Sequence, residues 1–323
     1  MQTSSSWSDR RRQIPYLVPL LLAATVTLGQ GRSVAITFDD LPDLSGDAHS
    51  VAQTTGMMQK LISGVASQHL PAIGFVNEEK LLDDASQQND PRLVALLDAW
   101  LATGFDLGNH TYSHVDLHQV GVTAFEDEIL RGETVTRTLC DKYQRPLKWF
   151  RHPYLNTGRS LSDREQVERF LTAHGYEVAP VTIDNSEWIY GLAYEKAASL
   201  LARWRVRNAY IRYMTARFAW YEARSQALFG RQIRQVLLLH ADTLNADAFP
   251  RLARMIRGRG YRFITIDQAL TDPAYHSRDT WTADGGVSWI ERWGVTRGLS
   301  QTIFDRDPPA DSWIAKLAGA QEE

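Results

Sequence analysis

The segment SVAITFDD at residues 33–40 decides the fold of this chain. Residues 33–38 are mostly apolar and have the length of a buried β-strand. Two aspartates, Asp39 and Asp40, follow this strand directly. A short, continuous apolar run is typical of a strand in a parallel sheet, and polar side chains at its carboxyl end are typical of a functional edge.

Strand-like and helix-like segments alternate along the rest of the chain. Further strands are predicted at residues 71–76, 149–150, 177–183, 236–239 and 263–266. Helices are predicted at residues 51–68, 91–103, 123–142 and 163–174. This alternation predicts βα units around a mostly parallel sheet, which is an α/β fold. In βα barrels, functional side chains gather where the strands end.

Five short motifs occur in a fixed order along the chain. They are TFDD at 37–40, HTYSH at 110–114, RHPY at 151–154, DNSEW at 184–188 and LLLH at 237–240. The set resembles the polysaccharide deacetylases (carbohydrate esterase family 4, the NodB-homology domain), and the resemblance covers residues 34–270. It implies a distorted (β/α) barrel, which agrees with the alternation of strands and helices.

The second motif carries two histidines four residues apart. Residues at i and i+4 can face one metal ion from a single helical turn, although surface or core histidines show the same spacing. The resemblance implies that Asp40, His110 and His114 are the three metal ligands. Imidazole and carboxylate together suit a borderline divalent metal. Zn²⁺ is therefore the expected ion, and Co²⁺ or Ni²⁺ is a competent substitute.

The resemblance also implies an acid, a base and an oxyanion site. Asp39 is expected to act as the general base on metal-activated water, and Arg151 is expected to pair with it and hold it. Pro153 fixes the turn at the substrate-binding edge, and the backbone N–H of Tyr154 is the expected oxyanion donor. His240 is the expected general acid that protonates the leaving group.

The fourth motif departs from the family pattern. Many family members place an aspartate directly before the tryptophan, where it tunes the catalytic histidine, whereas this chain has Glu187 there. Either Glu187 or Asp184 is therefore expected to reach His240 and raise its pKa. Trp188 and Leu238 match residues that line the pocket for the acetyl methyl group.

Composition and the N-terminal sequence bear on partners and location. The net charge of −3 gives the whole molecule no nucleic-acid footprint, and a single cysteine, Cys140, excludes an internal disulfide. Three arginines at 10–12 precede an apolar stretch at 14–28, which has the length of a signal-peptide core. Export with cleavage near Gln30 is expected, which leaves no stable membrane span. A retained anchor and a buried N-terminal segment are the alternatives.

The boundaries predicted from these features are a leader at 1–30, a catalytic domain at 31–272 and an extension at 273–323, whose tryptophans pack on the barrel. Residues 189–235 form a long insertion before the last catalytic strand. The insertion has no proline and few glycines, which predicts one long helix or two joined helices. Its arginines and aromatic residues fit a packed barrel helix with a solvated face, or a basic lid over the cleft.

The function that follows from the resemblance is metal-dependent hydrolysis of acetyl groups, N- or O-linked, on a glycan or oligosaccharide. One alternative is a metal-dependent amide hydrolase that acts on a non-carbohydrate substrate. Another is a catalytically silent carbohydrate-binding relative. The silent relative would be expected to lack the base or the acid, and this sequence has both Asp39 and His240.

Overall fold

A computed structural model describes residues 1–2, 31–83, 85–300 and 302–320 of the chain. The predicted leader, with its apolar stretch at 14–28, lies outside these residues. The compact unit that carries the motifs is Gly31–Glu323. Within the described part of the chain, no helix combines the length and apolar character that crossing a membrane would require.

Parallel strands form the main sheet of this unit. In chain order, the strands of both sheets are β1 (Ser33–Leu41), β2 (Ala72–Val76), β3 (Leu82–Asp83), β4 (Gln88–Asn89), β5 (Asp106–Asn109), β6 (Trp149–Phe150), β7 (Glu177–Val178), β8 (Gln235–His240) and β9 (Arg262–Phe263). Their order in the sheet is β7-β6-β5-β2-β1-β8, and β9 pairs with the start of β1. The two short strands β3 and β4 form a separate antiparallel pair.

A short bridge closes the sheet into a distorted barrel. β7 pairs with β6 at one edge, and Ile183 pairs with Leu237 of β8 at the other edge. Pro180 interrupts the connecting segment, because proline has no N–H to donate to a ladder. Residues 177–183 thus join both edges of the sheet, and the predicted distorted (β/α) barrel is confirmed.

The central strand β1 is buried on both faces. Phe38 packs outward, with its ring centroid 5.8 Å from that of Trp100 and 5.6 Å from that of Phe249. Thr37 points to the opposite face, where its hydroxyl accepts a hydrogen bond of 3.2 Å from Arg151. Because side chains alternate along a strand, Asp39 shares this inner face with Thr37. The apolar run SVAITF therefore anchors the core and delivers a carboxylate to the barrel interior.

Helices surround the barrel. They are α1 (Val51–Ala66), α2 (Pro91–Ala102), α3 (Leu117–Val120), α4 (Val122–Arg131), α5 (Thr134–Lys142), α6 (Leu161–Ala173), α7 (Glu187–Glu195), α8 (Leu200–Phe229), α9 (Thr243–Gly258), α10 (Ile266–Leu270), α11 (Trp289–Thr296) and α12 (Ser312–Ala318). Single turns of 3₁₀ helix occur at Gly46–Ala48, Glu78–Leu81, Pro153–Leu155 and Pro273–His276. Local signals set several ends: Ser50 and Gln53 form a capping box on α1, and Gly230 ends α8 in the left-handed conformation.

Most predicted elements are confirmed, and three differ in extent. The helix expected at 123–142 is broken into α4 and α5 at Gly132, whose added Cβ would lie 2.6 Å from the Thr111 carbonyl carbon. The strand expected at 177–183 is regular only over β7. The strand expected at 263–266 ends at Phe263, because Thr265 caps helix α10.

The insertion at 189–235 forms two joined helices, α7 and α8, as predicted. Most of its aromatic side chains face the protein: Trp220 is buried and donates its indole N–H to the Asp305 carbonyl. Arg217 is buried as well and pairs with Asp307, so it does not belong to a solvated face. Trp204, near the start of α8, is 53% exposed.

The segment after residue 272 is more regular than expected, since it contains α11 and α12. Trp293 of α11 is fully buried against Phe229 of α8 and Tyr275 of the same segment. Trp289 packs against the cluster that contains Leu238 of β8, which agrees with the predicted packing of this segment on the barrel. Trp313 of α12 is 42% exposed and does not follow that expectation. The domain boundary at 272 stays a prediction.

Candidate active site

Three potential metal ligands converge at the carboxyl edge of the sheet. Asp40 lies near the end of β1, and His110 and His114 lie in the loop after β5. One ligand atom from each residue lies within 4.8 Å of the other two. The structure therefore brings the predicted triad together as a candidate site for one metal ion.

The two histidines do not share a helical turn, contrary to the expectation from their spacing. Residues 110–114 form an irregular loop in which Thr111 and His114 have positive φ angles of 65° and 56°. Asn77 donates to the His110 carbonyl at 2.6 Å, and Glu128 accepts from the Ser113 N–H at 2.8 Å. Hydrogen bonds from other elements therefore hold the loop in a conformation that costs about 1–3 kcal/mol per strained residue.

His110 is prepared for metal binding. Its Nδ1 lies 2.8 Å from the Arg151 carbonyl oxygen, which can only accept, so Nδ1 carries the hydrogen and Nε2 is left as the ligand atom. Burial lowers the pKa of His110 well below its usual value, and burial also lowers the pKa of His114. Both imidazoles are therefore in the neutral form that binds metals, and this donor set fits a divalent cation.

Lys80 is a further charged residue at this site, and its sequence context gave no sign of it. Its ammonium lies 2.8 Å from Asp40 Oδ1. Burial alone would raise the pKa of Asp40, but the ammonium of Lys80 is the strongest effect opposing burial, and this pKa lies well below its usual value. The carboxylate is therefore ionised, as a metal ligand must be.

Asp39 pairs with Arg151 inside the barrel. The Arg151 guanidinium donates to both carboxylate oxygens of Asp39, at 3.1 and 3.2 Å, and to the Ala179 carbonyl at 2.8 Å. Burial raises the pKa of Asp39 to about 6, although Arg151 opposes this shift. The arrangement gives a fixed carboxylate that can take up a proton near neutral pH, as a general base requires.

His240 lies beside Asp39, because the two residues are register partners on the adjacent strands β8 and β1. Glu187 Oε2 lies 2.8 Å from His240 Nδ1, and Glu187 Oε1 accepts from the His240 backbone N–H at 2.7 Å. Asn245 donates to the same Oε1 at 2.8 Å and is in turn held by Tyr210 of α8. The imidazole is thus fixed in position, with its Nε2 turned toward the triad.

Asp184, the other candidate partner of His240, is placed differently. Its Oδ1 accepts from the N–H of Asn185, and its carbonyl accepts from Arg217 at 2.8 Å. Burial and the nearby Glu291 raise the pKa of Asp184 to about 6. Glu187 therefore makes the contact with the imidazole, and Asp184 ties the fourth motif to α8.

The turn at Pro153–Leu155 carries the predicted oxyanion donor. Tyr154 and Leu155 have positive φ angles of 53° and 54°, an unusual conformation for residues with a side chain. The Tyr154 ring packs edge-on against His114, with centroids 4.6 Å apart. The third motif therefore lies directly beside the candidate ligand triad, with its backbone in a strained turn of the kind found at functional sites.

The two residues predicted to line an acetyl pocket belong to different clusters. Leu238 packs with Leu155 and Val181, and the partly buried Trp289 packs against this group. Trp188 packs instead against the main core. The role of Trp188 stays a prediction, whereas Trp289, in the segment after residue 272, had no motif that could have pointed to it.

Comparison with known proteins supports the resemblance. The family model described as polysaccharide deacetylase matches residues 29–178, which is somewhat less than half of the chain. The matched region contains the first three motifs, so this part of the chain is similar to a polysaccharide deacetylase domain. The fourth and fifth motifs lie beyond it. No curated protein matches the sequence.

Several solved structures are similar in backbone. The family 4 carbohydrate esterase from Streptomyces lividans in complex with acetate has a TM-score of 0.47 and 20% identity, covering 75% of this chain and 96% of that one. The peptidoglycan deacetylase PdaC from Bacillus subtilis has a TM-score of 0.47 and 17% identity, covering 75% and 91%. A CE4 family pseudoenzyme from Bacillus anthracis has a TM-score of 0.46 and 13% identity, covering 75% and 66%. Nothing about the chemistry of this chain follows from likenesses at these scores.

Proposed function

We propose that this protein is a metal-dependent hydrolase that removes acetyl groups, N- or O-linked, from a glycan or oligosaccharide. The observation that carries the proposal is the convergence of three units at one edge of the barrel. These are the ligand triad, the Asp39–Arg151 pair and the His240–Glu187 pair. The polysaccharide deacetylase match over 29–178 supports a carbohydrate substrate.

The triad would hold a divalent cation, and Zn²⁺ is the proposed ion because its usual ligands include imidazole and carboxylate. Asp40 would supply the anionic ligand, and His110 and His114 the neutral ones. When bound, the cation supplies Lewis acidity, which polarises the acetyl carbonyl and acidifies water.

The residues of the chain divide the proton transfers between them. Asp39, held by Arg151, takes a proton from the attacking water as the new C–O bond forms at the acetyl carbon. The Tyr154 N–H donates a hydrogen bond to the oxygen that becomes negative in the tetrahedral intermediate. His240 then gives its proton to the leaving nitrogen or oxygen as the bond to the acetyl carbon breaks. The products are acetate and a free amine or hydroxyl.

The two pKa values agree with these roles. The pKa of Asp39 is about 6, so the carboxylate is ionised above that pH. Burial opposes a charged His240, but Glu187 outweighs burial and raises the pKa of the imidazole to about 10. Near neutral pH, Asp39 can therefore be ionised as the base while His240 is protonated as the acid.

The test is acetate release from acetylated chitooligosaccharide, acetylated xylan and peptidoglycan, each with added Zn²⁺ and with a chelator. Release from at least one glycan that stops on chelation is expected. Hydrolysis of cyclic amides without any release from glycans would favour the amide hydrolase. Glycan binding without release would indicate a silent relative, and either result would overturn the proposal.

A further inference from the structure

The segment after residue 272 covers the turn of the third motif. Gly286 lies so close to this turn that an added Cβ would overlap the Tyr154 carbonyl oxygen and lie 2.7 Å from Leu155 Cβ. Ser288, which follows shortly after, is fully buried and caps helix α11. Residues 286–288 therefore press on the backbone that carries the proposed oxyanion donor, and only a glycine fits at the point of contact.

Arg292 ties helix α11 to the same turn. It is fully buried, donates to the Leu155 carbonyl and donates to the Thr157 hydroxyl at 3.0 Å. Its guanidinium carbon also lies 4.0 Å from the centroid of the Trp289 ring. The same arginine thus fixes both the strained turn and the orientation of the tryptophan.

Trp289 reaches an apolar cluster on the inner face of the barrel. Its backbone N–H donates to the Val181 carbonyl at 2.7 Å, and its side chain packs against Leu155, Val181 and Leu238. Leu238 precedes His240 by two residues on β8, so both side chains point to the same face, roughly 7 Å apart along the strand. The cluster is therefore bounded by the turn of the oxyanion donor on one side and by the strand of the general acid on another.

We propose that Trp289 forms a wall of the acyl pocket and limits the length of the acyl group, with Arg292 as the residue that positions its ring. This inference rests on the proposed function, since it names what the same site selects. We expect the bulky indole beside Leu155, Val181 and Leu238 to restrict the pocket to a short acyl group such as acetyl. Removing the indole would open space for added methylene groups, and each methylene is typically worth 10- to 200-fold in discrimination.

The experiment compares acyl selectivity in Trp289→Ala and in the wild type. Aryl esters and N-acylated glucosamine oligomers are offered with acetyl and with butyryl groups, and kcat/KM is measured for each. The ratio of butyryl to acetyl activity is expected to rise by about 10-fold or more in the variant. Arg292→Lys, which keeps the charge but not the planar stack, should shift the ratio in the same direction by a smaller factor.

A matched control lies one helical turn away. Trp293 is fully buried on the same helix but packs on Phe229 and Tyr275, away from the apolar cluster. Trp293→Ala should therefore lower the melting temperature and leave the acyl ratio unchanged. If Trp289→Ala does not fold, Trp289→Phe, with its smaller ring, carries the same test with a smaller shift.

Two results separate failure of this inference from failure of the proposed function. If Trp289→Ala is folded and active but its butyryl-to-acetyl ratio stays within twofold of the wild type, the role of Trp289 as a pocket wall is overturned and the proposed function is not. A wild-type protein that hydrolyses no acetyl substrate overturns the proposed function. In that case NMR titration with acetate and butyrate still tests whether Trp289 limits the pocket. Tighter butyrate binding by Trp289→Ala than by the wild type supports Trp289 as the pocket wall, and equal binding overturns that role.

Discussion

Glu187 and His240 are joined by a 2.8 Å contact between Oε2 and Nδ1, in a part of the barrel where Glu187 has no exposed surface. The opposite nitrogen of the imidazole, Nε2, lies 4.0 Å from Asp40 Oδ2. The Glu187 carboxylate thus fixes the imidazole through Nδ1, and Nε2 faces the site where the substrate would react. The glutamate at this place in the fourth motif can therefore serve as the partner of the histidine.

Glu187→Gln should lower turnover by roughly 10- to 10⁴-fold, up to the full contribution of a general acid. Glu187 raises the pKa of His240, so its loss lowers that pKa. Because the acid must be protonated, activity falls as pH rises through this pKa, and the basic limb of the pH profile should move to lower pH. Asp184→Asn is the control, and a larger shift in that variant than in Glu187→Gln would reverse the assignment.

Loss of any triad residue should remove both metal and activity. Asp40→Ala, His110→Ala and His114→Ala leave two ligands each, which is too few for tight binding. Asp39→Asn should retain the metal and lose about 10²–10⁴-fold in turnover, because the base is not a ligand. Metal content by mass spectrometry of the purified variants, measured beside kcat, checks both parts. Full activity in metal-stripped wild type would sink the mechanism.

Arg151→Met should move the acidic limb of the pH profile to higher pH. Burial raises the pKa of Asp39 and Arg151 opposes it, so removing the guanidinium raises this pKa above about 6. The base works only when ionised, and activity rises as pH rises through its pKa. Unfolding free energy should also fall by about 3–5 kcal/mol, because a buried charge loses its partner. Arg151→Lys keeps the charge and should shift the limb less; an unmoved limb in Arg151→Met would argue against the pairing.

The exposed and buried tryptophans of helix α8 should behave differently. Trp204→Ala is expected to raise KM for polymeric substrate more than for a small acetyl ester, because an exposed indole can stack on a sugar ring. Trp220→Ala should instead cost about 3–5 kcal/mol of stability, since its indole is buried and bonded to Asp305. Thermal melts and KM for both substrates distinguish these effects. Equal KM changes for polymer and ester in Trp204→Ala would show that the start of α8 has a structural role and does not bind the polymer.

Export is the last expected property. The arginines at 10–12 and the apolar stretch at 14–28 predict a mature protein that begins near Gly31, or one that stays tethered through this stretch. N-terminal sequencing of protein from fractionated cells gives the answer directly. A wholly soluble cytoplasmic form that keeps Met1 would refute the prediction.

Much of the site could be predicted because its residues follow strands. Asp39, Asp40 and His240 end apolar runs, and parallel strands bring their carboxyl ends to one edge whatever lies between them in sequence. The spacing of His110 and His114 pointed to a pair that the structure brings together with Asp40, but it predicted the wrong conformation for their segment. Glu128, Asn77 and other residues distant in sequence hold the loop at 110–114 in place, and local propensities cannot predict such contacts.

The sequence by itself predicted the α/β barrel from the alternation of strands and helices, and the order of its motifs carried the resemblance that implies Asp40, His110 and His114 as metal ligands. Both signals can be read along the chain because strand periodicity and motif order are local properties. Only the tertiary structure decided that Glu187 rather than Asp184 contacts His240, and that Trp289 rather than Trp188 packs against Leu238. Both outcomes depend on how α7 and α11 are oriented against the barrel. That orientation is set by the packing of side chains far apart in the chain, so no local pattern encodes it.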